Sequence, residues 1–232
     1  MSVRRSSGPF VAHVLLVAAL LALAGGLARP AVGMVLGDTT TSTSPTTVEG
    51  DVLRASVSTG GTQANGWSEA PAISGDGSVV AFTSYASNLV SGDTNAAGDV
   101  FARDAVTGTT TRASVGASGQ ANGKSQAPTV SADGNLVAFE SSASNLVSGD
   151  TNGVSDVFVR DLSAGTTTRV SLSSGGAQGS GASDSAAISA DGRFVAFRSF
   201  ASNLVSGDTN GYSDIFVRDL QGGTTTRVSV NS

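Results

Sequence analysis

Apolar positions along this chain fall into two regimes. Between Phe10 and Leu23 they form an almost unbroken run. From residue 51 onward they come in short clusters of three or four, each closed off by glycine, asparagine, aspartate or serine. Beyond the first run no stretch sustains a helical period, and the clusters are rich in the β-branched and aromatic residues that suit a pleated, half-buried surface. The pattern predicts short strands joined by turns. Four strands recur in a fixed order. The first is small and apolar (Pro71-Ala72-Ile73, Pro128-Thr129-Val130, Ala186-Ala187-Ile188) and ends at Asp-Gly (Asp76-Gly77, Asp133-Gly134, Asp191-Gly192). Asp-Gly predicts a tight hairpin with positive φ at both central residues. The second runs Val79 to Phe82, Leu136 to Phe139 and Phe194 to Phe197. The third is Val100-Phe101-Ala102, Val157-Phe158-Val159 and Ile215-Phe216-Val217, and the fourth is Thr-rich and ends at Arg112, Arg169 or Arg227.

These strands belong to one unit written three times. Phe82–Val115, Phe139–Leu172 and Phe197–Val230 align without gaps over 34 residues, and Arg54, Arg112, Arg169 and Arg227 stand 58, 57 and 58 apart. Four antiparallel strands per period of about 58 residues are the unit of a β-propeller blade, at the long end of its range. The Ser-x-Asp-Gly hairpin (Ser74 to Gly77, Ser131 to Gly134, Ser189 to Gly192), then Val-Ala-Phe, then Asp-Val/Ile-Phe-x-Arg-Asp, resembles the TolB-type, WD-like β-propeller repeat. The resemblance covers roughly residues 52–232. It implies an all-β propeller of secreted or envelope proteins, usually a binding platform, and no single activity.

The expected organisation is an export signal or N-terminal anchor over 1–33, a Thr/Ser-rich linker over 34–50, and three blades at about 59–115, 116–172 and 173–230. An extra outer strand is expected over 52–58. Arg4 and Arg5 precede the apolar run, and Ala22-Leu23-Ala24 offers a small-x-small cleavage site, with another near Ala31-Val32-Gly33. Propellers close with about four to eight blades, so three make an open, incomplete arc. The arc is expected either to be cut from a longer array or to pair with another copy of itself.

Composition narrows the chemistry. The chain has no cysteine, and its one histidine, His13, lies in the apolar run. Disulfides, cysteine nucleophiles, Ser-His-Asp triads and His or Cys metal sites are excluded from the blades. Removing residues 1–33 takes Arg4, Arg5 and Arg29 and no acid, which moves the formal net charge from −5 to −8. An acidic chain without basic runs argues against nucleic acid and anionic membranes as partners, beyond the N-terminal anchor itself. Protein or another extracellular ligand is the expected partner.

The acids are periodic. The loop before the third strand carries Asp93, Asn95 and Asp99, then Asp150, Asn152 and Asp156, then Asp208, Asn210 and Asp214. Oxygens at positions 1, 3 and 7 of a turn would supply part of a calcium shell, which takes six to eight such ligands. Glycine sits at position 4 and no glutamate follows at 12, so the loop is not an EF-hand. The competing account is turn chemistry, with Asp and Asn bonding their own backbone, and with Asp99, Asp156 and Asp214 starting the third strand or pairing with Arg103, Arg160 and Arg218. Arg112, Arg169 and Arg227 are expected to pair with acids rather than bind an anion. Trp67 is the one candidate for an exposed aromatic anchor, and a surface tryptophan packed on its blade is the equal alternative. The leading expectation is a non-enzymatic binding module of the cell exterior. The alternatives are a calcium-stabilised structural or adhesive repeat and, third, a hydrolase accessory domain working by carboxylates alone, with Glu69, Glu140 and Asp184 as its unrepeated acids.

Overall fold

A computed structural model describes residues 52–230. The signal and linker expected over 1–50 lie outside those residues. Fourteen strands and no helix occur among the described residues. Blade 1 is β1 (Ser68–Ile73), β2 (Val79–Ser84), β3 (Asp99–Asp104) and β4 (Thr109–Arg112). A two-residue ladder, β5 (Val115–Gly116) with β6 (Gly119–Gln120), leads to blade 2. Blade 2 is β7 (Ser125–Val130), β8 (Leu136–Ser141), β9 (Asp156–Asp161) and β10 (Thr166–Arg169). Blade 3 is β11 (Ser183–Ile188), β12 (Phe194–Ser199), β13 (Asp214–Asp219) and β14 (Thr224–Arg227). In each blade consecutive strands pair antiparallel in chain order, which is propeller-blade topology. None of the three sheets closes on another, so the propeller is open.

Two expectations change. The outer strand expected over 52–58 joins no sheet. Val57 makes only an isolated bridge to Gln63, the counterpart of the β5–β6 ladder and of the Leu172–Gln178 bridge. Its pairing edge would belong to a blade before blade 1, and the described residues contain none. The Asp-Gly turns also differ. Gly77, Gly134 and Gly192 have φ of 71–74°, but the aspartates before them do not enter the left-handed region. Instead the serine three residues before each glycine binds the aspartate through its hydroxyl, as Ser131 does Asp133 at 2.6 Å. The same Ser131 hydroxyl accepts the Leu136 amide at 3.0 Å. The serine thus tightens a longer turn that needs one left-handed residue rather than two.

The core lies between blades. Each blade stacks a pair of phenylalanines from its second and third strands, Phe82–Phe101, Phe139–Phe158 and Phe197–Phe216, with centroids 5.8–6.0 Å apart. Phe139 and Phe158 pack on Ala81, Val100 and Ala113 of the blade before. Phe197 and Phe216 pack in the same way on Ala138, Val157, Val159 and Val170. Each blade therefore has an aromatic leading face and a small or β-branched trailing face that accepts the next pair. The leading pair of blade 1 is covered by Ala55 and Ala64 of the N-terminal segment.

Candidate functional site: an arginine clasp repeated in each blade

The acid loop folds around its own asparagine. Asn95 accepts the Ala97 amide at 3.0 Å, an Asx turn, and its side-chain amide reaches Asp99 at 3.2 Å. Asn152 and Asn210 do the same toward Asp156 and Asp214. The turn needs a left-handed residue next, which Gly153 and Gly211 supply at φ 68° and 72°. Ala96 adopts the same conformation in blade 1 at φ 53°, so the first loop keeps its shape without the glycine.

The nine sequence-identified residues come together blade by blade, around a guanidinium. In blade 1 Arg112 lies 3.2 Å from Asp93 and 3.5 Å from Asp99. Arg169 lies 3.4 Å from Asp150 and 3.9 Å from Asp156. Arg227 lies 3.1 Å from Asp208 and 3.4 Å from Asp214. Arg112 and Arg169 keep under a tenth of their side chains in contact with solvent. Several of their nitrogens sit at ion-pair distance without a hydrogen bond, so the clasp is held mainly by charge. A buried guanidinium needs that charge, because isolated burial in a low-dielectric interior is costly.

Neutral groups complete the clasp. Ser114 donates to Asp99 at 2.6 Å and accepts the Val100 amide, fixing the acid at the start of β3. Gln120 acts as a staple from the next hairpin. Its amide nitrogen donates to Asp93 at 2.9 Å and to Asp99 at 3.0 Å, while its oxygen accepts from the Thr94 amide and hydroxyl. Gln178 repeats all four contacts at Asp150, Asp156 and Thr151. Burial outweighs these partners at Asp99 and Asp150, whose carboxyls are pushed above the usual aspartate range. Asp214 goes the other way. The Ser229 hydroxyl and the Asn210 amide hold it below that range, because the trailing face of blade 3 encloses it less.

The second repeated arginine does not pair with the strand-start acids. Arg103 donates to the Ser58 carbonyl at 3.1 Å and to Thr110 at 3.0 Å, and Arg218 does so to Ser173 and Thr225. Arg160 reaches Val115 and Thr167. Each thus bolts the segment that enters its blade to that blade's own outer strand. Burial lowers the affinity of all three guanidinium groups for their proton. These bolts, the Gln staples and Ser114, Ser171 and Ser229 escaped the sequence reading. Their signal was phase: Gln63, Gln120 and Gln178 stand 57 and 58 apart, as the acids do.

The unrepeated acids lie beside cations, Glu69 and Glu140 near Lys124, and Glu140 and Asp184 near Arg198. Asp184 takes Arg198 in two bonds of 2.8 and 2.7 Å, which hold its carboxyl below the usual range. Glu140 accepts from Gln126 and from the Ser185 amide of blade 3. Glu69 is exposed on β1. No three acids or histidines among the described residues gather as a metal-holding group. Trp67 is 83% exposed and borders a shallow cleft of about 460 Å³ with Gly66, Glu69 and Tyr85.

No family model matches the chain, and no curated protein matches it in sequence. Solved structures do. The chain is similar to a putative TolB from Agrobacterium tumefaciens, with 17% identity and a TM-score of 0.45 over 70% of this chain and 48% of that one. TolB from Acinetobacter baumannii is 22% identical at a TM-score of 0.45, over 72% of this chain and 33% of that one. The β-propeller domain of the Trilobed protease from Pyrococcus furiosus is 15% identical at 0.44, over 71% and 43%. The chain spans less than half the length of each of these structures.

Proposed function

We propose that the chain is a noncatalytic module of the cell exterior that binds protein through the uncovered ends of its blade array. The observation that carries this reading is the engagement of the repeated polar side chains inside the blades. The loop acids hold arginines and the Ser-x-Asp-Gly acids tie turns. Of the unrepeated acids, Asp184 is engaged by Arg198, and Glu140 by Gln126 and the Ser185 amide. What the array leaves free is apolar surface at its ends. Ile215 and Val228 are 41% and 50% exposed, whereas their counterparts Val100, Val157, Ala113 and Val170 are fully buried. Secretion or envelope residence rests on the N-terminal sequence.

In the same reading the clasp works without calcium. The guanidinium supplies the positive charge that a cation would bring, and the Asn95, Asn152 and Asn210 oxygens face backbone amides instead. A thermal melt in millimolar calcium and again in chelator tests this, beside Arg169→Gln. The expected outcome is no shift with calcium or chelator and a large loss for the variant. A midpoint that rises with calcium and falls with chelator would favour the calcium-stabilised repeat.

A further inference from the structure

The two ends of the array fit each other, because each lacks what the other presents. At the trailing end, the blade 3 clasp has no staple. Thr209, Asp208 and Asp214 match Thr94, Asp93 and Asp99, yet no glutamine reaches them among the described residues. Among the described residues the Asn210 side-chain amide donates only to Asp214, whereas those of Asn95 and Asn152 also donate to the carbonyls of Ala121 and Gly179. At the leading end, Gln63 occupies the phase of Gln120 and Gln178. It is exposed, and its side chain has no hydrogen bond among the described residues. Ala64, next to it, occupies the phase of Ala121 and Gly179.

This leading segment is already set in place. Thr110 donates to the Val57 carbonyl, Arg103 to that of Ser58, and Asn88 to that of Gln63 at 2.8 Å. The same bonds seat the connecting hairpins on blades 2 and 3. The apolar groups match as well. The trailing face shows Phe194, Ile215 and Val228, where blades 1 and 2 bury the following blade. Lys124 lies over the Tyr85 ring of the blade before it at 5.6 Å. The residue in its phase at the leading end is Trp67, and the residue in the phase of Tyr85 at the trailing end is Phe200, 54% exposed.

We propose that the trailing face of blade 3 takes the leading end of blade 1 from a second copy of this chain, with Gln63 of one copy stapling Asp208 and Asp214 of the other. This names the partner in the reading above and rests on it. Two copies bring six blades, within the roughly four to eight that close a propeller, whereas one copy brings too few and three too many. A head-to-tail contact made at both ends then closes as a ring of two. Residues 52–57 of each copy coincide in phase with 225–230 of the copy it meets, so 52–56 lift off on docking and Val230 gives way to Val57, which Thr110 holds. Neither 52–56 nor Val230 belongs to a strand.

The absence of cysteine makes the contact directly testable. Full-length Gln63→Cys and Thr209→Cys chains are mixed and treated with a short bis-maleimide. Both positions are exposed, so neither change disturbs a core, and a mixed ring keeps its second contact natural, with Gln63 and Thr209 both in place. The expected product is a cross-linked pair that needs both variants and disappears when Ile215→Lys is added to the Thr209→Cys chain. Gln63→Cys with the outer-turn variant Ser163→Cys is expected to give none. Equal cross-linking to Ser163→Cys, no cross-link at all, or a ladder of three or more copies from the doubly substituted chain would overturn the closed pair. Light scattering with an apolar dye separates the two levels of the claim. A monomer that binds the dye in an Ile215- and Val228-dependent way overturns only the second copy as partner. A monomer that ignores the dye overturns the uncovered ends as a binding surface too.

Discussion

The aspartates of this chain do different work according to what surrounds them. Asp161 and Asp133 sit in exposed turns and are held below the usual carboxylate range, Asp161 chiefly by the Ala164 amide and Asp133 by the Ser131 hydroxyl. Arg198 and Arg193 do the same for Asp184 and Asp219. A depressed folded pKa gives stability that is present above the unfolded value and lost as pH falls through the folded one. Asp99 and Asp150 have raised values, so their contribution has the opposite sign and is lost as pH rises. Depressed groups are the more numerous, and the melting midpoint is expected to fall as pH drops from about 5 toward 2. Asp161→Asn should flatten that slope, and melts across the range would read it. Backbone chemistry is as local. Ala96 holds a left-handed φ that costs an L-residue about 1–2 kcal/mol. Ala96→Gly relieves that strain but adds unfolded-state freedom, so a net gain of roughly 0.5–1 kcal/mol is expected in denaturant unfolding.

At the scale of the element, the clasp and the bolt explain why the Thr-rich fourth strand ends where it does. Arg112 and Arg169 close the strand and reach the acid loop, while Thr110 and Thr167, two residues earlier, receive the bolt. Removing one partner of a buried ion pair costs about 3–5 kcal/mol, since the other charge is stranded. Arg169→Gln is therefore expected to lose about that much in denaturant unfolding, and Arg227→Gln less, because the Arg227 side chain is 20% exposed against 5% for Arg169. A similar loss for both would mean that burial is not what sets the strength of the clasp. The strands, their order and the pairing of these arginines with acids were legible in the sequence, because a repeat in phase prints the same pattern three times. The partner of each acid was less so. Asp-x-Asn-x₃-Asp shows the oxygens of the loop but not the arginine 13 residues beyond the last aspartate, whose return over it is a property of the β3–β4 hairpin rather than of the loop. The Asp-Gly turns misled for a related reason: the serine two residues before the aspartate changes the turn, and dipeptide chemistry alone does not register it.

At the scale of the whole molecule, three blades leave two unlike ends. The repeat that builds each interior interface also writes its halves on the outside: a stapling glutamine and Trp67 at one end, an unstapled clasp with Ile215, Val228 and Phe200 at the other. The three repeats were visible in the sequence; the match between the two ends was not, because it depends on which face each strand residue occupies. The most direct measurement is the solution mass of the intact chain by light scattering across a dilution series, set against the Ile215→Lys, Val228→Lys variant. Twice the chain mass for the natural protein and a folded single chain for the variant is the predicted result. A natural protein that stays a single chain at every concentration, or a variant that pairs as well as the natural one, would contradict the account.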